Sequence, residues 1–174
     1  MTDDKGIKLL VKRLQSDNTK DVLFAINQIR NSGDPKIIFN LLDLLITNQQ
    51  KDINQAIIGL LNELKNQACA AEIIEALKND KYNPIQKELL TSCWHSGLDY
   101  SNYLDFFVGI VISNDFLISF EAYTIIETFE KDYDILLIDT LIHDLRNNIN
   151  EMTEEKRSLV NELIKLLETK KLQG

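Results

Sequence analysis

The stretch NSGDPKIIFNLLDLL, residues 31–45, holds a helix break and the start of a new helix within three residues. Gly33 suits the left-handed conformation that closes a helix, the Asp34 side chain can accept hydrogen bonds from the free amides of the next helix, and Pro35 suits its first turn. Two helices therefore meet here with almost no loop. Downstream, Ile37, Ile38, Leu41, Leu42, Leu44 and Leu45 recur at helical spacing and leave Lys36, Asn40 and Asp43 for the wet side. Upstream, Val22, Ala25, Ile26 and Ile29 form a similar stripe that ends at the same glycine. The local unit is a helix hairpin.

Helical periodicity continues along the chain. It predicts ten helices, over residues 3–15, 19–32, 35–47, 51–66, 69–79, 84–96, 101–113, 116–130, 133–147 and 153–171. Every connection is a few residues long, which makes neighbouring helices antiparallel and turns the ten into five hairpins in series. Start signals agree: Asn83 with Pro84 and Gln86 resembles a capping box, Asp115 precedes an apolar run, and Thr153 precedes Glu154 and Glu155. No segment is low in complexity and none reads as a linker, so residues 1–174 are expected to form one domain.

Composition supports this class. A chain of 174 residues can remove roughly two thirds of its extended surface from water. Two prolines and six glycines argue against an all-β chain rich in tight turns. The N-terminus MTDDKGIK has no apolar signal core, and the longest apolar run, FFVGIVI at 106–112, is far shorter than the about 20 residues that span a bilayer. A soluble, cytoplasmic protein without membrane association is expected. Cys69 and Cys93 are too few for a disulfide framework and read as buried small hydrophobes.

Ala25, Ala56, Glu88 or Leu89, and Ala122 occupy comparable positions 31 to 34 residues apart. Paired apolar residues in the following helices, Ile37–Ile38, Ile73–Ile74, Tyr103–Leu104 and Leu136–Leu137, recur every 30 to 36. Such a period points to a solenoid. Residues 22–45, VLFAINQIRNSGDPKIIFNLLDLL, resemble the HEAT repeat, in particular its short bacterial variety also called phycobilisome-lyase-like. Gly33, Asp34, Pro35, Ile37, Ile38, Leu41 and Leu42 carry the resemblance, whereas later turns, NQACAAEII, SGLDYSNYL and EKDYDILLI, lack Gly-Asp-Pro. The resemblance implies an all-α, right-handed α-solenoid of about five antiparallel hairpins, a HEAT/armadillo-like superhelix. It carries no lyase activity over. It also implies that second helices line a concave groove, near which Glu88, Glu121 and Glu127 would fall, with Asp105, Asp134, Asp139 and Asp144 toward the convex side.

A solenoid helix packs on two neighbours, which accounts for two stripes on helix 116–130: Ile118, Ala122, Ile125 and Phe129, and Phe116, Phe120 and Tyr123. Helix 153–171 has one, Leu159, Leu163, Leu166 and Leu167, and reads as a cap with which the solenoid is expected to end.

No glycine-rich phosphate loop, Cys-x-x-Cys, His-Glu-x-x-His or nucleophile elbow occurs. CWH at 93–95 is short of the about four ligands a zinc site needs, and is read as Cys93 and Trp94 in the core with His95 at the rim. Asp139 and His143 stand four apart on one helical face, suited to a surface ion pair. No catalytic residue, metal or cofactor is expected.

Charge is uneven. Residues 1–50 carry seven Lys or Arg against six Asp or Glu, whereas residues 88–145 carry eleven acids and one base, Lys131. Such a field repels nucleic-acid phosphates and anionic membrane and attracts a basic partner segment, although it also serves as a solvated surface. The candidate partner-binding residues are Glu88, Phe120, Glu121, Tyr123, Glu127 and Asp132. Phe120, Tyr123 and Glu127 form an aromatic platform beside a carboxylate, unless packing between repeats takes the two rings.

Three functions fit the sequence. The leading one is a non-catalytic scaffold, adaptor or inhibitor that holds a protein partner with a basic segment. The second is salt-sensitive self-assembly, in which Lys5, Lys8, Lys12 and Arg13 of the first helix meet the acidic end of another copy. The third, an enzyme like the HEAT-like DNA glycosylases, needs a basic groove that the acidic half contradicts.

Overall fold

Gly33 takes φ 55°, ψ 35°, the left-handed conformation, and its N–H donates to the Ile29 carbonyl at 2.8 Å. Asp34 accepts the Lys36 N–H at 3.1 Å, and Pro35 opens a short 3-10 turn, Pro35–Ile37, from which the next α-helix runs. The hinge in NSGDPK is thus formed by the three residues that suit it, with one turn of 3-10 helix inserted.

The computed structural model describes residues 4–171. Ten α-helices follow in order: α1 (Asp4–Leu14), α2 (Thr19–Ser32), α3 (Ile38–Thr47), α4 (Lys51–Asn62), α5 (Ala68–Leu77), α6 (Gln86–His95), α7 (Leu104–Ser113), α8 (Phe116–Glu127), α9 (Ile135–Asn148) and α10 (Glu154–Thr169). The fold is all-α, with no strand among the described residues; the expected helix start at residue 3 lies outside them.

Where helices stop short of the sequence-based expectation, tertiary bonds end them. α4 ends at Asn62 rather than 66, because Leu64 turns into the core and its carbonyl accepts the Gly97 N–H at 3.2 Å. Asn66 then bridges two turns, donating to the Gly33 carbonyl at 2.8 Å while accepting the Ala68 N–H at 3.2 Å. The capping box expected at Asn83 does not form. Asn79 caps a 3-10 segment, Asp80–Ile85, by accepting the Lys81 N–H at 3.0 Å, and Pro84 lies inside that segment. Asp115 and Thr153 do cap α8 and α10.

By its contacts the chain divides into two compact units between Asp99 and Tyr100. In the first, α1 packs on α2, and thereafter even helices pack on even (α2 on α4, α4 on α6) and odd on odd (α1 on α3, α3 on α5). Its core includes Ala25, Ile26, Ile38, Leu41, Leu42, Ile57, Leu60, Ile73 and Leu89. In the second, α7 packs on α8 and α9, and α10 packs on both α8 and α9, around Phe107, Val111, Ile125, Ile138, Leu145 and Leu163.

Bonds between successive turns recur at a narrow spacing in sequence. In the first unit, Thr19 donates to Gln50, Asn66 to Gly33, and Gln67 and Asp99 exchange two hydrogen bonds, separations of 31, 33 and 32 residues. In the second, the Tyr133 hydroxyl donates to the Ser101 carbonyl at 2.7 Å, also 32 residues away.

Candidate partner-binding surface

α8 starts from Asp115, whose carboxylate accepts the Ile118 N–H at 3.0 Å, and is anchored by Ser119, whose buried hydroxyl donates to the Val111 carbonyl at 3.0 Å. Ala122, Ile125 and Ile126 complete the inward face. At about 100° per residue the opposite face then holds Phe116, Leu117, Phe120, Thr124 and Glu127, flanked by Tyr123 on one side and Glu121 on the other.

This outward face is apolar. Phe116, Leu117 and Phe120 are 38%, 60% and 49% exposed, and the Phe116 and Phe120 rings lie 6.2 Å apart in a tilted pair. The sequence offered packing between repeats as a fate for Phe120 and Tyr123; Phe120 stands exposed and Tyr123 is half-buried. Ala122, Ile125 and Ile126 fill the interior, so Phe116 and Phe120 are left on the solvent side. Tyr123 is half-buried beside them. Burial, its hydrogen bond to Glu127 and the charges of Glu127 and Glu162 push its phenol up to about 12, so it stays a neutral donor.

The acidic surroundings are less one-sided than the sequence suggests. α10 brings lysines to the ends of the other helices. Lys156 is buried and donates to the Ile112 carbonyl at 2.8 Å and to the Asn114 carbonyl, at the C-terminus of α7. Lys170 donates to the Phe129 carbonyl, just past α8, and stands near Asp132 and Glu127. Burial lowers the pKa of both ammonium groups, against the opposing pull of these carboxylates, Asp115 for Lys156 and Asp132 and Glu127 for Lys170. A cation at a helix C-terminus is favourable for the last carbonyls and the helix dipole. Arg157 does the same for the end of α9, donating to Ile149 and Asn150. Lys170 lies about forty residues from the acids it faces, and no local pattern announces it.

Of the expected site residues, Phe120, Glu121, Tyr123 and Glu127 share α8, and exposed Asp132 follows it in the same unit. Glu88 lies elsewhere, half-buried in the first turn of α6 in the first unit. Missed in sequence reasoning was Leu117, the most exposed apolar side chain of α8, because it belongs to neither of the two expected stripes. A second apolar patch is Ile135, Leu136 and Leu137 at the start of α9, which includes the Leu136–Leu137 pair of the repeat period. Leu136 is 76% exposed.

Several smaller expectations are also corrected. Trp94 is half-buried rather than core, with exposed His95 stacked on its ring at 3.7 Å, while Cys69 and Cys93 are both buried. Burial, helped by the charges of Asp34 and Glu72, pushes the Cys69 thiol up to about 11. Asp139 pairs not with His143 but with Lys171, at 2.9 Å. Among the described residues no helix is long and apolar enough to cross a membrane, and no three His, Cys, Asp or Glu side chains gather as a metal site.

Comparison of the sequence with models of protein families and with curated proteins finds no match.

Proposed function

We propose that this chain is a non-catalytic helical-repeat scaffold of the HEAT/armadillo type, built from right-handed solenoid hairpins, that holds a protein partner on the outward face of α8. The odd-on-odd, even-on-even packing within each unit and the recurrence of inter-turn hydrogen bonds every 31 to 33 residues support the repeat reading. The observation that carries the binding reading is the exposed Phe116–Phe120 pair on a helix that also carries Glu121 and Glu127. Apolar patches rimmed by charge mark interaction sites, and aromatic side chains dominate interface energetics. The partner segment that fits is a helix with Leu or Phe at i, i+4 spacing and Lys or Arg beside them.

The test is a selection of random helical peptides on the intact protein with counter-selection on Phe120→Glu. Enrichment of basic, amphipathic sequences whose binding is lost in Phe120→Glu is the expected result. Acidic sequences, or binding indifferent to Phe120, would overturn the reading.

A further inference from the structure

We infer that one occupant of the α8 face is a second copy of this chain, presenting the groove between its α1 and α2; the inference rests on α8 being a docking face. That groove, of about 420 Å³, is lined by Leu9, Leu10, Arg13, Phe24, Gln28 and Asn31 among others. Leu9 and Phe24 are 55% and 49% exposed, and the Arg13 guanidinium lies 4.9 Å above the Phe24 ring. Lys5, Lys8 and Lys12 are exposed along α1 beside Leu9, and Lys20 is exposed at the start of α2; Asp21 is the sole acid of α2.

The two faces are complements in shape class and in sign. One is a ridge of two rings and a leucine flanked by Glu121, Glu127 and Asp132, with Lys170 near the last two. The other is an apolar groove rimmed by Lys and Arg. Both stand exposed on the single chain. Pairing either face with itself would set carboxylates against carboxylates or lysines against lysines, which association disfavours. Pairing one with the other removes four exposed aromatic and aliphatic side chains or more from water and brings opposite charges together. The contact therefore joins different patches on the two partners.

Sedimentation velocity of the full chain over roughly a hundredfold concentration range tests this, at low salt and at about 1 M salt, where the screening length falls to roughly 3 Å. The intact chain is expected to self-associate at low salt and about tenfold more weakly at high salt. Phe24→Ser and Phe120→Ser, both exposed positions, should each stay monomeric with melting curves like the parent. An equimolar mixture of the two variants should form a one-to-one dimer, because each retains the face the other lacks. A monomeric parent at every concentration, or a mixture that stays monomeric while the parent associates, would overturn the inference. If the parent is monomeric yet binds the selected basic peptides through Phe120, only the second copy is ruled out; if peptide binding also fails, the docking face falls with it.

Discussion

Residues 1–99 carry 13 acids against 12 bases, and residues 100–174 carry 14 against 7, so almost all of the chain's net charge of −8 belongs to the second unit. That unit also bears six of the eight large hydrophobic side chains that stand exposed among the described residues. The two units close their turns differently. The first uses neutral side chains, Asn66 onto Gly33, Gln67 with Asp99, and Asn48 with Asn54, to satisfy loop carbonyls and amides. The second uses Lys156 and Arg157 of α10, and Lys170 just past it, on carbonyls at or just beyond the C-terminal ends of α7, α9 and α8. Three of its seven bases thus go to carbonyls, while Lys165 and Lys171 pair with Glu162, Asp139 and Glu168, beside apolar side chains that its own core does not use.

The sharpest way to break this comparison is through the core. Phe107 is fully buried and meets Tyr100, Phe106 and Phe129 within its own unit. Phe107→Ala is expected to cost about 3–5 kcal/mol by denaturant unfolding. Amide exchange should accelerate across residues 100–171 and much less across 4–98; equal acceleration in both would mean that the units do not differ in cooperativity.

Next in size is Lys156→Met, which takes the ammonium donor from the Ile112 carbonyl and leaves the Asn114 carbonyl only the Ser119 hydroxyl, and should destabilise by about 1–3 kcal/mol. An unchanged melt would show that the α10 lysines are not what closes the second unit.

Two glycines then separate the units. Gly33→Ala puts a side chain at φ 55°, costing about 1 kcal/mol although the nearest atom, Asn66 Cβ, leaves 3.5 Å. Gly109→Ala, inside α7 with nothing within 4 Å, should instead stabilise by about 0.8–1 kcal/mol. Thermal melts of the pair read both signs.

The smallest effect is a pH one. The folded Tyr123 phenol, at about 12, lies above its ordinary value of 10.0, so the folded state holds the proton more tightly. The stability this contributes is fully present below about pH 10 and is lost as pH rises through about 12. Tyr82 is also raised, by burial and by Asp43, so tyrosinate absorbance should keep one late component but lose the latest in Tyr123→Phe, with a shallower alkaline loss of stability in the variant.

Much of the fold is legible in the sequence because helical periodicity and punctuation agree. All ten helices fall within a few residues of their expected places, and Gly33, Asp115 and Thr153 act as read. The misses are long-range. Nothing near residue 62 says that Leu64 will plug the core, and nothing near Asn83 says that Asn79 will cap first and hold Pro84 in a 3-10 turn. At the candidate site the spacing of Phe120, Tyr123 and Glu127 was readable, but periodicity alone cannot tell a second packing face from an exposed one. Which of α8's two stripes is buried depends on α7 and α10, distant in sequence.

The most direct measurement is a chemical-shift titration of the isotopically labelled chain with a Lys- and Leu-bearing amphipathic helical peptide at low salt. The account expects saturable shifts concentrated on amides from Phe116 to Asp132, and their loss in Phe120→Ser. Shifts centred on the first unit, or none at all, would contradict the assignment of α8 as the docking face.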